Sequence, residues 1–138
     1  MKLMGFNFNK ISVRKENIHL PKDFKINTNI DVSEIKTAKS DILKTKEEIV
    51  AVTFTFVVEY SPDFAKIELE GNLVFAIEPN LSKEIIKQWE DKKIHEEFRT
   101  SLFNIILKKA NIKALELEEE MNLPIHVPLP TVREDSGQ

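Results

Sequence analysis

Apolar and polar residues alternate through most of the first half of the chain. Met4, Phe6 and Phe8 alternate with Gly5, Asn7 and Asn9, and a period of two marks a strand with one buried face. The phase then slips, because Ile11 and Val13 are apolar while Lys10, Ser12 and Arg14 are polar. A slip inside residues 3–14 predicts a β-bulge that re-aims the strand. Residues 15–23 hold Pro21 and read as a loop. Phe24, Ile26, Thr28, Ile30 and Val32 then alternate with Lys25, Asn27, Asn29, Asp31 and Ser33, the pattern of a strand with one wet face. The alternation fades after Ile35, and residues 37–48 form a polar, Lys-rich connection around Ile42 and Leu43.

A third segment, residues 49–60, is different. Val50, Val52, Phe54, Phe56, Val58 and Tyr60 share one face, and Ile49, Ala51, Thr53, Thr55 and Val57 share the other. Both faces are apolar or β-branched, which predicts a central strand covered on both sides. After Ser61-Pro62-Asp63, a turn, Ala65, Ile67, Leu69, Gly71, Leu73, Phe75 and Ile77 alternate against Lys66, Glu68, Glu70 and Asn72 up to Pro79. So short a turn predicts an antiparallel hairpin.

The period then becomes helical. Asn80 or Leu81-Ser82 is expected to cap a short helix with Ile85, Ile86 and Trp89, broken at Asp91-Lys92-Lys93. Phe98, Leu102, Ile105 and Ile106 share a face of a second helix over residues 95–110, widened by Phe103, Leu107 and Ala110. Asn111 is the expected C-cap. Residues 115–121 read as one more helix or as an extended stretch with Leu115 and Leu117 facing inward. Pro124, Pro128 and Pro130 keep the following segment extended. The expected fold class is α+β: a four-stranded antiparallel sheet followed by two helices packed on one face. Residues 1–132 form its single domain, and 133–138 form a flexible polar tail.

At 138 residues the chain suits one domain with a sizeable core. It is 41% hydrophobic and 31% charged, a globular composition. Lys and Arg number 20 against 23 Asp and Glu, which leaves no basic footprint for nucleic acid. The absence of cysteine excludes disulfides and thiolate chemistry. Three glycines, Gly5, Gly71 and Gly137, are too few and too scattered for a phosphate loop. No apolar run suits a signal peptide or a membrane span, so a cytoplasmic location is expected.

Candidate chemistry is sparse. His19, His95 and His126 lack metal-ligand spacing and read as surface or half-buried residues. Glu68 and Glu70 lie about 7 Å apart on one strand face; they read as a solvated face before they read as a catalytic pair. Glu116, Glu118, Glu119 and Glu120 read as a solvated acidic turn. No cofactor, no metal and no catalytic residue is expected. The positive signal is apolar excess. Two helices on one side of four strands leave the other sheet face to be hidden in an oligomer or used to bind something apolar. Phe6, Phe8, Phe54, Phe56, Tyr60 and Trp89, with Ile18, Leu20, Ile42 and Leu43, are the residues for such a surface, although each aromatic taken singly reads as core.

The layout resembles the SecB-type export chaperone family. Phe98-Arg99-Thr100-Ser101-Leu102-Phe103-Asn104-Ile105-Ile106 is similar to that family's helix, and Leu123-Pro124-Ile125-His126-Val127-Pro128-Leu129-Pro130 to the apolar stretch that follows it. The hairpin of residues 54–75 is compatible with the family's central strands. The family's Gly-Phe-Pro turn is replaced by Glu119-Glu120-Met121-Asn122, and the connection at 15–23 is shorter than the family's crossover. The chain is thus similar to a divergent member. The resemblance implies a homotetramer that holds unfolded polypeptide without ATP and passes it to a translocation motor. The polypeptide-binding residues expected on this basis are Ile18, Leu20, Ile42, Leu43, Phe54, Phe56 and Trp89. The alternatives from the residues alone are an oligomeric adaptor without chaperone activity and, last, an enzyme built around Glu68, Glu70 and His126.

Overall fold

The computed structural model describes residues 1–38 and 46–134. The chain runs β1 (Lys2–Lys15), β2 (Lys25–Ala38), β3 (Glu48–Ser61), β4 (Ala65–Ile77), α1 (Pro79–Glu90) and α2 (Glu96–Met121). The strands form one antiparallel sheet in the order β1-β4-β3-β2. β3 is central, as its apolar pattern requires, and pairs with β4 through the tight turn after Ser61. The phase slip in β1 is realised as a register shift between Phe8 and Lys10, with another between Leu3 and Gly5. A third shift, between Val32 and Glu34 in β2, lets Ile35 regain the buried face.

Both helices lie on the face formed by Val50, Val52, Phe54, Phe56, Val58 and Tyr60 of β3 and Ile67, Leu69, Leu73 and Phe75 of β4. Phe98 of α2 meets Phe75 edge-on at 5.2 Å between ring centres. Phe6 and Phe8 close the β1 side against Phe54. The second face of β3 departs from expectation: Ile49, Ala51, Thr53, Thr55 and Val57 are half-buried, and no described element covers them. Their neighbours across the sheet include Asn29, Asp31, Glu68, Glu70 and Asn72. This face carries β-branched residues among polar ones, which a strand tolerates without a partner layer.

The helix boundaries also differ. α1 starts at Pro79 with Glu78 as its N-cap, not at Asn80 or Ser82. Proline suits the first helical position because its missing N–H would have no partner there. Ser82 is instead buried, and its hydroxyl donates to Glu48 Oε2 at 2.7 Å. α2 does not stop at Asn111. It continues through residues 115–121, and Asn122 takes the left-handed conformation at its end. Phe98, Leu102, Ile106, Ala110, Ala114 and Glu118 are buried along it at a spacing of four. This is one i±4 ridge laid along the sheet. Neither glycine nor proline interrupts it, and an asparagine inside a helix costs only about 0.5 kcal/mol.

Candidate functional site

The expected polypeptide-binding residues fall into three groups. Ile18 and Leu20, in the loop after β1, are exposed, Ile18 at 87%. Trp89 is half-buried near the end of α1, with Lys92 Nζ 4.6 Å from the centre of its ring. Phe54 and Phe56 are fully buried on the helix side of β3. Their side chains offer no surface while the helices and the C-terminal segment are in place. Ile42 and Leu43 lie outside the described residues.

The sheet separates the residues of the enzyme reading. Glu68 and Glu70 project from the helix-free face, while His126 lies on the helix side. Lys10 donates to Glu68 at 3.1 Å, and Lys66 stands 3.8 Å away. The Lys10 hydrogen bond, with the charges of Lys10 and Lys66, holds the Glu68 carboxyl below the usual range against a smaller opposing effect of burial. A general acid needs the opposite shift. Among the described residues no cluster of three or more His, Asp or Glu is placed to hold a metal.

The tertiary structure assembles a site that the residue pattern did not announce. Glu118 was expected in a solvated acidic run, and His126 at or near the surface; both side chains are enclosed, 0% and 1% exposed. Glu118 is the last member of the buried ridge of α2, which turns it inward, whereas Glu116, Glu119 and Glu120 face water. The Tyr60 hydroxyl donates to the Glu118 carboxylate and also lies 2.7 Å from the carbonyl of Pro124. His126 Nδ1 stands 2.9 Å from both carboxylate oxygens and donates to them, and its backbone N–H adds a longer contact. His126 Nε2 is 2.7 Å from Asn111 Oδ1. The ring also meets Phe56 edge-on at 6.1 Å between centres.

The chemistry of this cluster is structural. The Tyr60, Glu118 and His126 side chains are closed off from solvent, Asn111 is half-buried at the edge, and the polar atoms satisfy one another, as buried polar atoms must. The Asn111 amide serves His126 in either protonation state: its oxygen accepts from an imidazolium, and turned end for end its nitrogen donates to the neutral ring. Burial, then the Glu118 hydrogen bond and negative charge, raise the Tyr60 phenol far above its ordinary range. The cluster ties the segment after α2 to β3 and α2. The signal in the sequence was weak: a His two residues after Pro124, eight after a Glu that continues the four-residue spacing.

No family model matches this chain, and no curated protein matches it. The fold has a relative among solved structures. A SecB-like chaperone from Mycobacterium tuberculosis, in complex with a ChAD peptide from the HigA1 antitoxin, is similar over 96% of this chain and 91% of its own, with a TM-score of 0.53 at 10% identity. The two therefore share an architecture, a four-stranded antiparallel sheet with two helices on one face, and the SecB-like fold that the resemblance implied is the fold of this chain. Among the described residues, no helix is long and apolar enough to cross a membrane.

Proposed function

We propose that this protein is a SecB-like holdase that binds unfolded or partly folded polypeptide through apolar surface, without ATP or another cofactor. The observation that carries the reading is the shared fold: the similar structure is a chaperone with a peptide bound. Ile18 and Leu20 are exposed and so are open to such a contact. Ile18, Leu20, Ile42 and Leu43 are proposed to meet the client directly, together with the half-buried Trp89. Phe54 and Phe56 contribute only where the layer over them moves. The proposed protein is a cytoplasmic homo-oligomer without enzymatic activity, with residues 1–132 as one domain.

The test is suppression of aggregation of a chemically unfolded client, read by light scattering at near-stoichiometric ratio. Suppression without nucleotide is expected, and it should weaken when Ile42 and Leu43 are both changed to Ser while the assembly mass stays the same. Full aggregation at every ratio would remove the holdase reading. The second reading is an oligomeric adaptor. Ile49, Ala51 and Val57 on the helix-free face, which no described element covers, favour it, since self-association would cover them.

A further inference from the structure

The segment after α2 is held in an unusual way. Past the bond from Leu123 N–H to the Glu118 carbonyl, no backbone-to-backbone hydrogen bond ties described residues 124–134 to the rest of the chain. Pro124, Pro128 and Pro130 have no N–H to offer. Leu123 is its one fully buried apolar side chain, while Ile125 is 42% and Leu129 50% exposed. Its attachment is therefore Leu123 plus the polar cluster of Glu118, His126, Tyr60 and Asn111. A polar clasp of this kind is geometrically demanding. It contributes less net stability than apolar residues of the same volume, because each of its groups regains water on release. Segments held by few buried apolar contacts open locally at low cost.

What lies beneath is mixed, with apolar rings beside the Tyr60 hydroxyl and the Glu118 carboxylate. His126 covers the edge of Phe56, and Pro124 covers the Tyr60 ring end. Both belong to the helix-side surface of β3, and Ile26, Ile30 and Val32 of the neighbouring β2 are half-buried on the same side. The segment is itself an extended, Pro-rich stretch with Ile125, Val127 and Leu129 in alternation. Ile125 and Leu129 face solvent, so an apolar stretch that turned its side chains inward would bury more than the strap does.

We propose that residues 123–132 are a detachable strap, latched by Glu118 and His126, and that the β3 surface under it takes an extended apolar stretch of unfolded polypeptide in the strap's place. The occupant rests on the polypeptide-binding reading above; the strap rests on the geometry of the latch. The strap competes with the client. If the strap is open one-tenth of the time, apparent client affinity is lowered about tenfold.

The chain has no cysteine, so a double variant, Asn111→Cys with His126→Cys, gives two unique thiols on either side of the latch. Without a cross-linker the latch is lost; with dibromobimane across the thiols the strap is closed. The uncross-linked form should bind an apolar dye at least fivefold more than the cross-linked form, and a fluorescent, permanently unfolded polypeptide about tenfold more tightly. Equal dye and polypeptide binding by the two forms would overturn the strap while leaving polypeptide binding standing. Higher dye uptake with no polypeptide bound by either form would overturn the polypeptide-binding reading, and the proposed occupant with it. Amide exchange on the unaltered protein decides the matter if the double variant fails to fold. Bound polypeptide should speed exchange at Leu123 and His126, whose N–H groups bond the Glu118 carbonyl and carboxylate, at least tenfold, and unchanged exchange in the polypeptide complex would overturn the inference.

Discussion

Gly71 shows how a single residue sets the packing of three strands. It pairs with Phe8 of β1 and Phe54 of β3. A Cβ there would stand 2.8 Å from the Phe54 ring and press on the Asn7 carbonyl, whereas one at Gly5 would meet nothing within 4 Å. Gly71→Ala is therefore expected to cost about 1–3 kcal/mol, the range for overpacking a core. Gly5→Ala should leave the denaturation midpoint nearly unchanged. Equal midpoints for the two variants would contradict this account. Tyr60 gives a second residue-scale test. Its phenol is held above its ordinary value in the folded chain, chiefly by burial, while in the unfolded chain it ionises near ~10. The unfolded state therefore loses the proton first. The stability is present in full below that pH and falls above it by about 1.4 kcal/mol per pH unit. Tyr60→Phe should flatten that fall. The chain has one tyrosine, so phenolate absorbance reports its titration without interference.

Among the elements, α2 departs furthest from its sequence pattern. Its first half was legible because Phe98, Leu102 and Ile106 are large and apolar. Its second half was not, because the same ridge continues as Ala110, Ala114 and Glu118. Two small residues and a carboxylate carry little hydropathy signal, although they are as buried as the rest. Asn111 looked like a helix end for the same reason that it can serve a buried His: it is short and polar. The following segment yields an element-scale prediction. Deleting residues 133–138 should leave the melting curve unchanged; of these, 135–138 lie outside the described residues. Deleting from Leu123 onward should cost at least the ~1.5–3 kcal/mol of a buried leucine. Similar losses from both truncations would mean that the tail, not the strap, holds the C-terminal end. Glu118 should tolerate the longer deletion better than a point change at His126, since water then reaches it.

At the scale of the whole molecule, the two sheet faces make opposite demands. The helix face is a closed core, so Val52→Asp places a charge where none can be solvated. It should cost several kcal/mol and abolish the fold. The helix-free face is half-open. Val57 lies there opposite Glu68 of β4, so Val57→Lys gains an opposite charge across the strands. Its effect on stability should stay within about 1 kcal/mol, the span of strand preference. If the protein self-associates through this face, Val57→Lys should lower the mass measured by light scattering while its melting curve holds. A folded variant of unchanged mass would assign the oligomer contact elsewhere. Charges on this face already pair across strands, as in Lys10–Glu68 and Lys66–Glu59. Such exposed pairs add at most about 1 kcal/mol each, so they order the surface more than they hold it.

The order of elements, the hairpin of β3 with β4, the bulge in β1 and the inward face of Leu69 and Phe75 were all determined by the sequence alone, whereas Phe54 and Phe56, expected to meet a client, proved to be core. Each depends on a local period or on a turn residue, and local signals survive in one dimension. The sequence also carried the resemblance of layout that the shared fold matches. The sheet order, the second face of β3 that no described element covers and the clasp of Tyr60, Asn111, Glu118 and His126 were decided only by the tertiary structure. The clasp brings together residues 58 positions apart in the chain. Glu118 and His126 look like solvent-facing residues until a strand, a helix and an extended segment close around them. Burial is a property of the assembled neighbours, and hydropathy along the chain does not record which neighbours will meet.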